Sequence, residues 1–377
     1  MIPVAKPHMT KQDARAVADV VTSGWILQGP KVEEFENRMA SYIGVKYAVA
    51  TSSCTTAMHL GFLASSLKPG DEIIVPSLSF IASANCIIHA GGIPVFADID
   101  GKTYNLSPSD VEKRITSKTR GILAVHQIGL AADMGNLSRI AKKHNVLIFE
   151  DSACGLGSRI NGKHVGTFGE WSAFSFHPRK AITTAEGGLL ATDNPEIAAK
   201  VRMLRAHGAD ISVKDRHASK IVLLESYPLI GYNFRMSDIH AALGLSQFTR
   251  MDTLLAKRLT LAKRYDKAFA HHPRIIIPFV PNGYYHTYQS YMVRLKDGAD
   301  IRDTIMQHLL DNGIATRAGV MASHLEKPYR TMYPALHLPV TEAIAKETII
   351  LPLYHQLTIK DQEYIIKLFI LTFDSYS

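Results

Sequence analysis

Lys180 stands in the run His177-Pro178-Arg179-Lys180-Ala181-Ile182-Thr183-Thr184, followed by Ala185-Glu186-Gly187-Gly188. Lysine is the side chain for carbonyl chemistry, because partial desolvation and a cationic neighbour lower the pKa of its amine. Small residues after it, and a Gly-Gly pair that admits close backbone approach, make Lys180 a candidate nucleophile rather than a surface cation. Asp151 follows the apolar run 146–150. An acid at a strand end can hold a metal, a ribose or a protonated ring nitrogen. Taken alone, it is more commonly a helix cap or half of a loop ion pair. A third group, Ser52-Ser53-Cys54-Thr55-Thr56, places small hydroxyl residues before an apolar helical pattern. Such residues cap helices, and the free amides they leave also bind phosphate.

Other chemistries are excluded by spacing. No GK[ST] follows the Ser-Thr cluster, so it is not a Walker loop. Gly155 and Gly157 are followed next by Gly162, the wrong interval for a dinucleotide loop, and the residues between read as a hairpin turn. There is no G-x-S-x-G elbow. His271, His272, His286 and His324 lack HxxxH spacing, so no metal site is expected. Cys54, Cys86 and Cys154 form no CxxC and fit a reducing, cytoplasmic setting.

The elements that must position these groups follow from rhythm. Strand candidates are 47–51, 72–76, 94–97, 121–126, 146–150, 173–176 and 188–192. Helical patterns lie between several of them, at 55–66, 81–90, 107–114 and 134–144. This alternation predicts an α/β fold with a mostly parallel sheet covered by helices on both faces. In such sheets ligands gather at the carboxyl ends of the strands, where Lys180, Asp151 and the Ser-Thr cluster fall. Beyond residue 194 the pattern is helical, at 194–205, 237–248 and 250–269. A Pro-rich break at 271–283 precedes a mixed part, with a strand candidate at 288–294, a helix at 300–311 and the run 348–353. The division expected is 1–250, a large domain with an N-terminal segment, and 251–377, a smaller C-terminal α/β domain.

Length and composition agree with this plan. The chain has 377 residues, 46% hydrophobic and 20% charged, enough for two domains with buried cores. No apolar stretch approaches the roughly 18 residues of a membrane span. The formal charge of +8 admits nucleic acid, an acidic surface or small anions as partners. Arg250, Lys257 and Arg264 recur every seven residues on one helical stripe, read as a solvated face. No aromatics interleave with these charges, so nucleic acid is rejected.

Taken as an ordered set, the segments resemble the sugar aminotransferases of the DegT/DnrJ/EryC1/StrS family, fold-type I pyridoxal-phosphate (PLP) enzymes. The resemblance runs from Gly24-Trp25-Ile26 through Cys54-Thr55-Thr56-Ala57, Gly92-Ile93-Pro94-Val95-Phe96, Val125-His126 and Glu150-Asp151-Ser152-Ala153. Its strongest parts are Phe174-Ser175-Phe176-His177-Pro178-Arg179-Lys180 and Gly231-Tyr232-Asn233-Phe234-Arg235-Met236. The resemblance implies that Lys180 bonds covalently to PLP and shuttles a proton, while Asp151 pairs with the pyridine nitrogen. It implies an aromatic stack from Phe80 and a phosphate cradle from Cys54, Thr55 and Ser175. Asn233 would reach the phosphate of a neighbouring subunit, which implies a homodimer with shared sites.

Cys154 occupies a place near the cofactor's phenolic oxygen where many relatives carry Gln or His. Ala185 stands where Gly is common. Trp25, His177, Arg317 and His324 are implied as substrate-binding residues, with Arg317 and His324 in a segment that departs from the commoner aromatic-Pro version. The implied activity is amination of a nucleotide-diphosphate-linked keto sugar, with glutamate as donor and the pyridoxamine form as intermediate. A sugar dehydratase on the same scaffold and a non-catalytic PLP- or sugar-binding regulator are the alternatives. As that dehydratase branch carries His for the lysine, Lys180 argues against it.

Overall fold

The computed structural model describes residues 1–211, 216 and 219–376. The first nine strands are β1 (Tyr47–Thr51), β2 (Glu72–Pro76), β3 (Ile93–Ala97), β4 (Thr119–Val125), β5 (Leu147–Asp151), β6 (Arg159–Ile160), β7 (Lys163–His164), β8 (Trp171–Ser175) and β9 (Gly188–Thr192). Seven of them form one sheet in the order β1-β9-β8-β5-β4-β2-β3. All its neighbouring pairs are parallel except the two made by β9, which runs against both β1 and β8. Both faces are apolar, as a sheet covered by helices requires. Val49, Leu190, Ala173, Phe149, Leu123 and Val75 pack under the helices Cys54–Ala64, Ala82–His89 and Pro195–Leu204. On the opposite face, Ala48, Ala50, Leu189, Ala191 and Phe174 meet the helices Pro30–Ile43 and Asp238–Phe248. Ile74, Ile122 and Ile148 on that face meet Met134–His144.

The interval after Asp151 is the hairpin its residues implied. Strands β6 and β7 pair antiparallel through Asn161 and Gly162, both in the left-handed region. β11 (Tyr284–Tyr285) adds to that hairpin, while β10 (Ile275–Ile276), β12 (Tyr291–Leu295), β13 (Arg317–Ala318) and β14 (Thr348–Leu351) form an antiparallel sheet in the order β10-β12-β14-β13.

The helix Met251–Phe269 touches two cores. Met251, Leu254 and Leu255 join the large sheet's core, whereas Leu261, Ala262, Tyr265 and Phe269 join that of the small sheet. The N-terminus also reaches the small sheet's core, as Ile2 pairs in parallel with Ile314 and packs there. We propose a division near residue 250, at the start of this helix, with the first residues reaching across it.

One expectation about the surface is corrected. The stripe Arg250, Lys257, Arg264 is not a solvated face: Arg250 holds the fully buried Asp13 at 2.8 Å, and Arg264 bonds Gln362 and Glu363. The fold also contains two N-terminal helices that the rhythm did not show. Lys11–Ser23 starts at a Thr10–Asp13 capping box. Pro30–Ile43 is capped from far along the chain by Asp238, which accepts from the amides of Gly29, Lys31 and Val32.

Candidate active site

The carboxyl ends of β1, β2, β4, β5 and β8 converge on one cavity of about 570 Å³. Its lining includes Cys54, Phe80, Asp151, Cys154, Ser175 and Lys180. A parallel sheet leaves unpaired backbone and crossing loops at that edge, which is why side chains far apart in sequence meet there.

Asp151 ends β5 and is 4% exposed. One carboxylate oxygen accepts from the Ser83 hydroxyl at 2.7 Å, and the other from the amide of Ala153 at 3.0 Å. Ser83 in turn bonds Ser79 at 2.7 Å. These contacts fix the carboxylate while leaving it lone pairs toward the cavity. Lys180 enters from the loop after β8, and its Nζ lies 3.1 Å from Cys154 Sγ. The loop is held from the small sheet's side. Arg258 is buried, among the described residues without a carboxylate partner, and its guanidinium reaches the carbonyls of Gln289 (2.9 Å), Leu353 (3.4 Å) and Lys180 (3.5 Å). Burial lowers its pKa to about 10, still cationic at neutral pH.

The cluster after β1 starts the helix Cys54–Ala64. Ser53 caps the amide of Thr56 at 3.1 Å, and Thr56 returns the bond to the Ser53 amide. Among the described residues, the amides of Cys54 and Thr55 have no acceptor. Both residues line the cavity, so a helix N-terminus presents two free donors to it, with Ser175 also in the lining. Gly188 permits the fit: a Cβ there would lie 2.2 Å from the backbone of Ser53. Burial, then the Asp151 charge, pushes the Cys54 thiol up, so it remains protonated.

A second buried pair braces the floor. His126 Nδ1 accepts from the amide of Ala132 at 3.0 Å, so Nε2 carries the proton and donates to Glu150 at 2.9 Å. Burial and then the Arg179 charge hold His177 below its ordinary pKa, leaving a neutral ring at neutral pH.

The sequence-derived residues divide as follows. Cys54, Thr55, Phe80, Asp151, Cys154, Ser175, His177, Lys180 and Arg317 all line the cavity. Phe80 is 60% exposed, at the rim where a planar ligand would be covered. His324 does not line it. Its ring is 2% exposed, takes the Ser77 hydroxyl on Nδ1 at 2.6 Å and gives Nε2 to Glu342 at 3.2 Å. With both nitrogens used, His324 braces the segment before helix Lys327–Met332. Trp25 lies away from the cavity, packed so closely on Gly29 that a Cβ there would fall 1.8 Å from its Nε1. Asn233 is exposed and pairs with Ala206, outside the cavity of its own chain. Ser83, Arg179, Arg258 and the His126–Glu150 pair were not assigned roles from sequence. Ser83 alone carried a local signal, a hydroxyl in the first turn of a helix after a strand end.

The donor set suits PLP. Two free amides and a hydroxyl fit a phosphate, a buried carboxylate fits a ring nitrogen, and a partly buried amine faces both. Comparison with known proteins agrees. The sequence model of the DegT/DnrJ/EryC1/StrS aminotransferase family matches residues 7–369. The spore coat polysaccharide biosynthesis protein SpsC of Bacillus subtilis (strain 168) is 34% identical over 371 residues, covering 97% of this chain and 95% of that protein. The putative sugar aminotransferase Spr1654 from Streptococcus pneumoniae, in its PMP form, superposes with a TM-score of 0.94 at 29% identity over 100% of both chains. Helicobacter pylori PseC, an aminotransferase involved in the biosynthesis of pseudoaminic acid, gives 0.93 at 29% identity over 99% of both.

Proposed function

This chain belongs to the DegT/DnrJ/EryC1/StrS aminotransferase family, whose members depend on PLP, and we propose that it moves an amino group from glutamate to a keto sugar carried on a nucleotide diphosphate. The observation that carries this reading is one cavity holding the Lys180 amine, the buried Asp151 carboxylate and a helix N-terminus with two free amides.

PLP, when bound, supplies an aldehyde that condenses with amines and a ring that accepts electrons. The chain's residues supply the rest. The amides of Cys54 and Thr55 with Ser175 hold its phosphate, and Phe80 covers its face. Asp151, steadied by Ser83 and the Ala153 amide, keeps a proton on the ring nitrogen, without which the ring withdraws electrons poorly. Lys180 Nζ anchors the aldehyde carbon. Once freed by a donor amine, it would carry the proton from the donor carbon to the cofactor-side carbon, and in the second half-reaction from there to the acceptor carbon. Cys154 Sγ gives the displaced amine a resting contact at 3.1 Å.

The names of the relatives, one a spore coat polysaccharide biosynthesis protein and one a putative sugar aminotransferase, support a sugar as acceptor. A second copy of the chain completes the site. Ile221, Val222, Leu224 and Ile230, in the stretch of chain before Asn233, are 73–95% exposed, a run of bare apolar side chains that suits a covered surface. We place the enzyme in the cytoplasm, where nucleotide sugars are made.

The test is amino transfer from glutamate to a panel of nucleotide keto sugars, with 2-oxoglutarate and the amino sugar detected by mass. Formation of both supports the reading. Turnover of glutamate with no sugar aminated would leave an aminotransferase of another acceptor class.

A further inference from the structure

We propose that Arg179 and Arg317 form a two-guanidinium clamp at the mouth of the cavity that takes the pyrophosphate of the sugar substrate. The inference rests on the nucleotide-sugar reading and extends it to named residues.

Arg179 comes from the lysine loop after β8, and its carbonyl accepts from the Gln289 side-chain amide at 3.1 Å. Arg317 comes from β13 of the small sheet, in register with Ile350. Both line the cavity and both are exposed, so they stand at its mouth while Asp151 lies at its floor. Several arginines of the chain hold carboxylates: Arg205 with Glu36 at 2.5 Å, Arg250 with Asp13 at 2.8 Å and Arg294 with Glu347 at 2.6 Å. Arg179 and Arg317 differ. Among the described residues, neither guanidinium has an ion pair or a hydrogen bond.

They are also close enough to repel. Burial, and then the charge of Arg317, holds Arg179 below the ordinary arginine range. Two like charges at one mouth raise the energy of the empty site, and an anion with two charges relieves it.

The other titratable groups of the lining do not do this. Asp151 and Lys180 face the floor, and His126 has both ring nitrogens bonded. His177 is neutral. Glu186 is in the lining too, and its charge acts on His177 and His240. A pyrophosphate offers one anionic group to each guanidinium, in the bidentate geometry that arginine favours over lysine. In a nucleotide sugar the pyrophosphate and the reacting carbon stand on different ring atoms, so with that carbon at Lys180 the pyrophosphate would lie outward, toward the mouth. The donor's α-carboxylate sits on the reacting carbon itself and so lies deeper than the clamp.

The test uses the holoenzyme, Arg179→Gln, Arg317→Gln and the two matching lysine variants. UDP, dTDP, GDP and inorganic pyrophosphate are titrated by calorimetry at two salt concentrations. The glutamate half-reaction is followed separately by cofactor absorbance, which also verifies that each variant is folded and loaded. The clamp predicts at least tenfold weaker binding of a nucleoside diphosphate in each Gln variant, partial recovery with Lys, and a KM for glutamate changed less than twofold. It is overturned if wild type binds none of these anions, if both Gln variants bind them as wild type does, or if the glutamate KM rises instead. Weakened anion binding with no keto sugar aminated would uphold the clamp and overturn the nucleotide-sugar reading. Wild-type amination by both Gln variants would do the reverse.

Discussion

Replacing Glu150 by glutamine perturbs the site's foundation without touching its reacting atoms. The Glu150 carboxylate is fully buried and accepts four hydrogen bonds. His126 Nε2 (2.9 Å) and the Gly166 amide (2.7 Å) reach one oxygen; the amides of Phe168 (2.8 Å) and Gly169 (2.9 Å) reach the other. Glu150→Gln keeps the volume but converts one acceptor into an NH2 group, so two of the four donors face another donor. Each unsatisfied buried donor costs about 1–3 kcal/mol, giving a loss of about 2–6 kcal/mol. For 377 residues the unfolding entropy is about 0.8 kcal/mol/K, so the midpoint falls by about 3–8 °C if unfolding is one transition.

The pH dependence of this difference has a definite sign. Burial raises the Glu150 pKa, but the bonds from His126 and the backbone outweigh it and hold the group below the usual carboxylate range. A group with a depressed folded pKa contributes stability above its unfolded value, about 4.3, and loses it as pH falls through the folded one. The gap between wild type and variant is therefore full at pH 7 and closes in acid. Scanning calorimetry and circular dichroism at matched cofactor loading measure it. A gap below about 1 °C at pH 7, or one that widens on acidification, would show that these four bonds do not hold the Glu150 carboxylate as described.

Three further outcomes are expected. Ala185 sits at φ 69°, in the left-handed region, where an L-residue costs about 1–2 kcal/mol against about 0.4–1 kcal/mol for the freedom of an unfolded glycine. Ala185→Gly should therefore raise stability by about 1 kcal/mol in denaturant titrations, and a lowered midpoint would contradict the strain. His324→Ala should lose about 2–4 kcal/mol from its bonds to Ser77 and Glu342, while the KM for the sugar stays put; a tenfold rise in that KM in a folded variant would restore a substrate role. If Asn233 acts across a dimer, Lys180→Ala and Asn233→Ala chains, each impaired alone, should recover about a quarter of wild-type activity when co-refolded at random. Verified hybrids with no gain over the parents would place Asn233 in its own chain's site.

The sequence rhythm marked β1, β2 and β9 to the residue, because strands buried on both faces read as apolar runs closed by Gly, Pro and Ser. It also put Asp151 and Lys180 at strand ends, which in a parallel sheet amounts to placing them together. The partners of these groups were not legible. Ser83 lies 68 residues from Asp151 and Arg258 lies 78 from Lys180, distances at which pairing is decided by packing rather than spacing. His324 was assigned through a segment that departs from the family pattern, and there the chain uses its histidine as a brace. The basic stripe misled for the opposite reason: its period was right, but Arg250 and Arg264 met acids and amides from Asp13, Gln362 and Glu363 that no local pattern announces. The N-terminal helices carried readable caps, Thr10-x-x-Asp13 and Gly29-Pro30, that the strand rhythm outweighed.

The central claim is that Lys180 is the amine that holds the cofactor. Borohydride reduction of the PLP-loaded protein, followed by proteolysis and mass spectrometry, tests it directly. One pyridoxyl-phosphate group per chain is expected, on Lys180, and none after prior conversion with glutamate. The same group on another lysine, or undiminished transamination by Lys180→Ala, would contradict it.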